Sequence, residues 1–234
     1  MASHHADVAL ESFLELERSL EAFTRTVPFA SEHLRVHSPA LASILLDSCS
    51  LIETTLKSAM DNARYNAVPD IANLRGRRYA DAPPFLNIGH LRTVFRADML
   101  YSKPIWYLPH GSSSYPWYVW RQAAGSPAWW ATYNDVKHSR FENSRLASLG
   151  TTMHAMKALF LVLVQTLDFR ERLVERGVIR REKRRIPDLK ADVSSWEVIH
   201  DNWNTPIVAT SKLFGYRYLN DSHPAHATDA SVFL

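Results

Sequence analysis

The sequence predicts a mainly helical protein: a helical bundle with an inserted aromatic β-hairpin or flap and a small C-terminal extension that contains β-strands. Hydrophobic residues make up 46% and charged residues 22% of the 234 positions, which excludes a disordered or low-complexity chain. Only seven residues are glycine, which favours helices over a β-sandwich. Apolar side chains also recur at helical spacing along three long segments. A chain of this length predicts one domain with additions rather than two full domains.

The three periodic segments define the predicted helical frame. Residues 6–25 carry leucine and phenylalanine mostly three or four positions apart, as on one face of an amphipathic helix. Residues 39–66 predict a longer helix, which Ser38 can cap with Pro39 in the first position. Residues 144–168 have the clearest apolar face and predict the most secure helix of the chain.

Two regions of different composition lie outside the three helices. We assign them, together with the helices, to a single domain over residues 1–234. Residues 70–126 are expected to be an insertion, in which tryptophan and tyrosine on both sides of the turn-like HGSSS predict short strands. Residues 186–234 are expected to be a C-terminal extension. Two of the chain's later stretches, VIHDNW and SKLFGYRYL, are predicted to be strands packed on the aromatic flap.

Cysteine content and hydropathy indicate the compartment. A single cysteine, Cys49, excludes an intrachain disulfide and a cysteine-based zinc site, and its apolar neighbours indicate a small buried side chain. The longest apolar run, Ala158 to Val164, is far shorter than the ~20 residues that span a bilayer. The N-terminal residues lack the pattern of a secretory signal. We therefore expect a soluble cytoplasmic protein that does not bind a membrane.

Basic residues are concentrated in one stretch. Residues 170–185 contain eight basic and three acidic side chains, a local charge of +5, which leaves −2 for the rest of the chain. Such a patch attracts phosphate backbones through counterion release. An alternative interpretation is a solvated helix end whose charges pair locally. The candidate nucleic-acid-binding residues are Arg176, Arg180, Arg181, Lys183, Arg184 and Arg185.

Sequence motifs for cofactor and metal chemistry are absent. The chain has no glycine-rich phosphate-binding loop, no G-x-S-x-G elbow and no HExxH, so we expect neither a cofactor nor a metal. His33 and His37 are four positions apart between two prolines, which favours a pH-sensitive surface pair over a metal site. His154 is expected to be a core histidine hydrogen-bonded to a neighbour.

One predicted helix, which begins at Pro127, concentrates polar side chains of chemical interest. The cluster contains an amide, an imidazole, a phenol and two cations: Asn134, His138, Tyr133, Lys137 and Arg140. On a helix, Asn134 and His138 lie one turn apart on the same face. Lys137 and Arg140 could hold a phosphate while His138 moves a proton at neutral pH. A purely structural role, in which Asn134 and His138 bridge neighbouring helices, is the alternative.

The segment Tyr133-Asn134-Asp135-Val136-Lys137-His138 resembles the motif of the HEPN superfamily of small helical domains. Many members carry an Arg followed by Asn, His or Asp, then a few residues, then His. Asn134 and His138 match that motif in identity and spacing. The segment also lies between the early helices and the long late helix, as the motif does in the family. The sequence departs from active members at Tyr133, which stands in the place of the Arg.

The resemblance implies an RNA-associated protein, either a metal-independent endoribonuclease or a degenerate relative in bacterial defence or stress. It implies that His138 acts as acid or base, while Lys137 and Arg140 stabilise the phosphate. Asn134 would orient His138 or the substrate, and Tyr133 could donate a hydrogen bond. HEPN domains commonly pair so that two motifs face one cleft, so the resemblance also implies a homodimer.

Two other functions fit the sequence. The first is a non-catalytic binding or scaffold module that uses the aromatic surface of residues 101–120. The rings of that segment are Trp106, Tyr107, Tyr115, Trp117, Tyr118 and Trp120. The second is an enzyme of unfamiliar fold in which the carboxylate of Asp47 or Glu53 lies opposite His138.

Overall fold

The computed structural model describes residues 2–78, 85–122, 124–181 and 207–218. Its helices confirm the predicted mainly helical fold with a small β extension. The eight α-helices of the described chain are α1 (Ala2–Thr26), α2 (Pro39–Ala59), α3 (Ile71–Gly76), α4 (Ile88–Phe95), α5 (Ala128–His138), α6 (Arg140–Asn143), α7 (Leu149–Gln165) and α8 (Leu167–Glu175).

Five short strands form one antiparallel sheet in the described chain. The strands are β1 (Ile105–Tyr107), β2 (Ser112–Ser114), β3 (Ile179–Arg181), β4 (Ile207–Thr210) and β5 (Phe214–Arg217), in the spatial order β2-β1-β5-β4-β3. Trp106 of β1 lies opposite Gly215 of β5, so the inserted hairpin and the C-terminal strands share one sheet.

Helix α7 is the centre of the protein. Fourteen of its 17 residues are buried, which is the behaviour of a helix that is apolar on all faces. It packs against α1, α2 and α5 on the helical side and against β1 and β5 on the sheet side. The Ser148 side chain caps the helix by accepting a hydrogen bond from the Thr151 amide at 3.3 Å.

The predicted caps and boundaries agree with the structure in part. Ser38 caps α2 through a 3.2 Å hydrogen bond from the Leu41 amide, and Pro39 is its first residue, as predicted. The helix ends at Ala59 rather than at residue 66, because the chain then turns into a short 3₁₀ segment. Helix α7 begins at Leu149 rather than at residue 144, because Ser148 caps it.

A β-hairpin is confirmed in the insertion, but its second strand is β2, which lies within the stretch HGSSS that was predicted to be the turn. The second aromatic stretch is not a strand. Residues Tyr118–Arg121 form a 3₁₀ turn that follows β2. In such a turn, positions three apart lie on the same side, so Trp117 and Trp120 both enter the core with ring centroids 4.2 Å apart. In a strand, positions three apart lie on opposite faces, and one ring would be left outside.

Some of the C-terminal predictions concern described residues and others do not. The segment SKLFGYRYL contains β5, which pairs with β1 of the aromatic hairpin, as predicted. The first part of the basic stretch ends helix α8, as the alternative interpretation held, and the stretch then continues into β3. The predicted strand VIHDNW lies outside the described residues, as does most of the 186–234 extension.

A buried carboxylate joins the β4–β5 turn to α1. Glu17 accepts hydrogen bonds from the Ser211 hydroxyl and from the backbone amides of Leu213, at 2.8 Å, and Lys212, at 3.3 Å. Burial raises the pKa of Glu17, while these three donors oppose the shift. The Glu21 carboxylate also pairs with the Lys212 ammonium at 2.7 Å. Together these contacts attach the sheet to the first helix.

One described helix, α2, is long and apolar enough to cross a membrane by length and composition alone. Half of the apolar stretch of this helix is buried inside the protein, and core helices of soluble proteins can be equally long and apolar. The length and composition of α2 are therefore weak evidence for or against a membrane-spanning segment.

We expect Glu17→Ala to lower the free energy of unfolding by about 2–5 kcal/mol, because three donors in the turn lose their acceptor. Urea denaturation followed by circular dichroism measures this loss. The matched control is Glu15→Ala, which removes an exposed ion pair with Arg18 and should change the stability by less than about 1 kcal/mol. Equal losses in the two variants would contradict the role of Glu17.

Candidate functional site

Helix α5 has one face in the core and one in solvent. Its buried residues, spaced three or four apart, are Trp129, Trp130, Tyr133 and Val136. They pack toward α2 and α7. Asn134 and His138 lie off this face and are exposed, and Lys137, one turn after Tyr133, is also exposed. The amphipathic pattern therefore presents the predicted amide and imidazole to solvent one turn apart, at the C-terminal end of the helix.

The chain changes direction after His138, between α5 and α6. The backbone of Ser139 leaves the helical conformation (φ −143°, ψ 66°), which ends α5 and starts α6, where a break was predicted. The Asp135 carbonyl accepts two hydrogen bonds there, from the Ser139 amide at 3.0 Å and from the Asn143 side-chain amide at 3.1 Å. These bonds link the last turn of α5 to α6 across the break, and we call the residues from Asn134 to Asn143 the α5–α6 corner.

The two predicted phosphate-binding cations lie at this corner. The Arg140 guanidinium is exposed and donates a 2.8 Å hydrogen bond to the Ser43 hydroxyl on α2. The Lys137 ammonium lies 5.2 Å from the centre of the Tyr133 ring. A hydrogen bond with the Tyr133 hydroxyl raises the pKa of Lys137, so this lysine is a cation at neutral pH.

Tyr133 is placed differently from the other predicted catalytic residues. Its ring is buried, and burial raises the pKa of its hydroxyl while the bond with Lys137 opposes that shift. The hydroxyl accepts from the ammonium, and the ring packs against Trp130 with centroids 5.1 Å apart. Tyr133 therefore positions Lys137.

Phe141, which the sequence analysis did not single out, extends this corner. Its side chain is 98% exposed, the highest value among the large apolar residues of the described chain. It lies in α6 between Arg140 and Glu142, three positions after His138. The available signal was an isolated aromatic residue in the polar stretch HSRFENSR. The α5–α6 corner thus combines an imidazole, an amide, two cations and an open aromatic ring.

The basic stretch is largely engaged where the structure describes it. Arg176 lies 3.6 Å from the Asp7 carboxylate and 3.4 Å from the Glu11 carboxylate on α1. Arg172 pairs with Asp7 and Glu175, and its hydrogen bond is the main cause of the lowered pKa of Asp7. Arg172 and Glu175 therefore pair locally, as the alternative interpretation expected, whereas Arg176 is neutralised by carboxylates of α1 that are distant in sequence. Of the remaining candidates, Arg180 and Arg181 lie in β3, whereas Lys183, Arg184 and Arg185 lie outside the described residues.

The remaining sequence candidates take structural positions. Cys49 is fully buried, as predicted, and burial raises the pKa of its thiol. The His33 ring donates to the Pro28 carbonyl at 2.9 Å. Within the described ranges no group of three or more His, Cys, Asp or Glu side chains could hold a metal. Glu53 pairs with Lys57 at 2.7 Å, and Asp47 is exposed in a groove between α1 and α2.

A second concave region lies on the other side of α5. We call it the aromatic groove: a cavity of about 340 Å³ between the hairpin, the start of α5 and the first turns of α7. Its lining residues are Phe29, Leu34, Tyr115, Pro116, Tyr118, Val119, Pro127, Ala128, Trp129, Gly150, Thr151 and His154. Tyr115 and Tyr118 are 48% and 54% exposed, whereas Trp106, Tyr107, Trp117 and Trp120 are buried.

His154 is exposed to this groove, so its prediction as a core histidine was wrong. The pattern placed it at the edge of the α7 core face, and the groove opens along that edge. The apolar walls around the ring lower the pKa of His154 by desolvation, and the charge of Lys157 lowers it further.

Lys157 lies one helical turn further along the same edge of α7. It is only 2% exposed, and its ammonium donates to the Ser114 hydroxyl at 3.1 Å and lies 5.9 Å from the centre of the Phe29 ring. In the described part of the chain no carboxylate pairs with it. Burial lowers the pKa of Lys157 to about 8. The sequence signal was a single lysine inside the apolar run of α7.

Comparisons with known proteins leave the family open. No protein-family model matches the chain, and neither a curated protein nor a solved structure matches it. The HEPN resemblance therefore stays a prediction that rests on the motif and on the order of the helices.

We expect Lys157→Met to stabilise the protein at pH 7, because methionine fills a similar volume without a buried charge. In the unfolded chain the lysine titrates near 10.5, and in the folded chain near 8. Below pH 8 both states carry the proton and the folded state bears a cost on the order of 3 kcal/mol. Between pH 8 and 10.5 the unfolded state binds more protons, so the stability of the wild type rises.

The difference in unfolding free energy between Lys157→Met and the wild type should therefore shrink from pH 7 to pH 10. Urea denaturation of both proteins at the two pH values measures it. A difference that stays constant across this range would contradict the burial of a charged lysine.

Proposed function

We propose that the protein is a HEPN-like, RNA-associated protein whose working site is the α5–α6 corner. One observation carries this proposal: Asn134, Lys137, His138 and Arg140 all reach solvent at a single corner, where the Asp135 carbonyl accepts bonds from the Ser139 amide and the Asn143 side chain. Exposed cations beside an imidazole suit a phosphodiester, which needs charge stabilisation at phosphorus and proton transfer at its oxygens.

In a cleavage reaction, His138 takes the proton of a ribose 2′-hydroxyl as the 2′-oxygen attacks phosphorus. The P–O5′ bond breaks, and the products are a 2′,3′-cyclic phosphate and a 5′-hydroxyl that receives a proton. Lys137 and Arg140 stabilise the charge on the phosphoryl oxygens, and Asn134 orients the imidazole or the substrate. Tyr133 acts through Lys137.

This reaction requires two proton transfers, and each corner offers one imidazole. A homodimer in which two corners face one cleft supplies a base and an acid at the same time. The chemistry is therefore compatible with the homodimer that the resemblance implies.

Phe141 adds a surface for an unpaired base. A fully exposed ring loses nothing by stacking on a nucleobase, and such stacking is worth about 1–3 kcal/mol per base. The flanking Lys137 and Arg140 attract the phosphates on either side. Single-stranded RNA, whose bases can leave their own stack, suits this corner better than a duplex.

The nuclease version is tested by incubating single-stranded RNA with the protein in EDTA. We expect the wild type to cut and His138→Ala to be at least about 100-fold slower, because acid–base catalysis contributes that much or more. The matched control is His5→Ala, an exposed histidine on α1 that should leave cleavage unchanged. If neither the wild type nor any variant cuts RNA, the nuclease version is wrong.

The binding version is tested with a 2′-O-methyl oligonucleotide, which cannot be cleaved through the 2′-oxygen. We expect Phe141→Ala to weaken binding by about 5- to 100-fold through lost stacking. Leu146→Ala, which shortens another exposed apolar side chain, is the control and should bind like the wild type. Binding should also fall steeply with salt. Equal affinities of the two variants would remove Phe141 from the site.

The alternative, a non-catalytic binding module that uses residues 101–120, has an observation of its own in its favour. Two rings of that segment, Tyr115 and Tyr118, are open to solvent in the aromatic groove. For the carboxylate alternative, Asp47 lies in the groove between α1 and α2, whereas Glu53 pairs with Lys57 and its charge also contributes to the raised pKa of Lys137. Glu53 is therefore the better placed of the two acids for that alternative. A cytoplasmic location without membrane binding stays a prediction.

A further inference from the structure

We propose that the aromatic groove is a binding site for a small aromatic carboxylate, with the ring of the ligand between the groove walls and its carboxylate toward His154 and Lys157. The proposal is independent of the RNA function. It deepens the binding-module alternative, on which it rests, by naming the chemical class of the ligand.

The walls of the groove are built before any ligand arrives. The Trp129 indole donates to the Pro116 carbonyl at 2.9 Å, and its ring meets Trp117 edge-on at 4.9 Å between centroids. At the opposite end, backbone bonds from Leu149 to Val36 and from Gly150 to Leu34 tie the rim to α7. A preformed site does not have to order its own side chains on binding.

The size and chemistry of the groove suit a small aromatic molecule. Its volume of about 340 Å³ is at the small end of ligand sites in proteins. Phe29, Tyr115, Tyr118 and Trp129 supply aromatic surface, and aromatic rings prefer stacked or edge-on partners at such walls. The Tyr115 and Tyr118 side chains are about half exposed, so part of each ring is open to a ligand in the groove.

The charge around the groove selects an anion. None of its twelve lining residues is acidic, and His154 is its one ionisable nitrogen base. The Lys157 ammonium lies behind the Phe29 wall, and among the described residues its hydrogen-bond partner is the neutral Ser114 hydroxyl. A carboxylate in the groove gains attraction from this charge in a medium of low dielectric constant. The same charge repels a cation, which aromatic walls alone would otherwise attract.

The experiment uses three probes that share one body and differ in charge: phenylacetate, phenylacetamide and phenethylamine. Isothermal titration calorimetry on the full chain at pH 7 should show phenylacetate binding at least tenfold more tightly than phenylacetamide. Phenethylamine should bind most weakly of the three. This order separates charge selection from simple aromatic stacking.

Variants then locate the selectivity. Lys157→Met should reduce the preference for phenylacetate by at least threefold and leave the affinity for phenylacetamide unchanged, because it removes the positive charge beside the groove. His154→Gln, which replaces an imidazole that is neutral at pH 7 by another neutral hydrogen-bond donor, should reduce the preference less. Lys212→Met, which removes a surface ammonium paired with Glu21, is the matched control and should keep the full preference. Far-UV circular dichroism and urea denaturation establish that each variant is folded.

The outcomes distinguish the proposals. Equal affinity of the three probes overturns the carboxylate assignment and leaves the groove as an aromatic site of the binding module. Absence of binding by all three overturns both the assignment and the groove itself. A preference for phenylacetate that stays undiminished in Lys157→Met also overturns the assignment. Cleavage of RNA should be unchanged in Lys157→Met and His154→Gln, whichever result is found, because these residues lie on α7, away from the α5–α6 corner.

Discussion

The burial of helix α7 on all of its faces is the constraint on which the rest of the structure depends. Every major element covers part of it: α1, α2 and α5 on one side, and the β1 and β5 strands on the other. Apart from the edge at Gly150, Thr151 and His154, the polar side chains of α7 must find partners inside the protein. Thr152 donates to the Leu41 carbonyl at 3.3 Å, Gln165 accepts from Lys103 at 2.9 Å, and Lys157 bonds Ser114.

The two candidate sites follow from how elements cover this helix. Helix α5 turns its tryptophans and Tyr133 inward, and the helical period then leaves Asn134 and His138 on the outside. The hairpin covers the other edge of α7 incompletely, so the aromatic groove stays open beside His154. The packing around α7 thus places one site on the solvent-exposed surface of α5 and the other where the hairpin leaves the edge of α7 uncovered.

Local patterns predicted the parts of the fold that depend on neighbouring residues. The Ser38 cap, the break after His138 and the exposed pair Asn134 and His138 all follow from periodicity or capping chemistry within a few positions. The strand assigned to the second aromatic stretch failed because the core could take Trp117 and Trp120 together only from a 3₁₀ turn. Aromatic residues favour strands on average, and here burial outweighed that preference.

What the sequence determined by itself is therefore the helical frame and the polar face of α5, since a periodic pattern carries its own geometry. Only the tertiary structure decided how the charges of Arg176 and Lys157 are paired or buried and that His154 is exposed. Arg176 is paired with Asp7 and Glu11 from the opposite end of the chain, and the Lys157 ammonium is buried against a serine 43 positions away. Pairing and desolvation depend on which elements pack together, and the spacing of residues along a chain does not encode these long-range contacts.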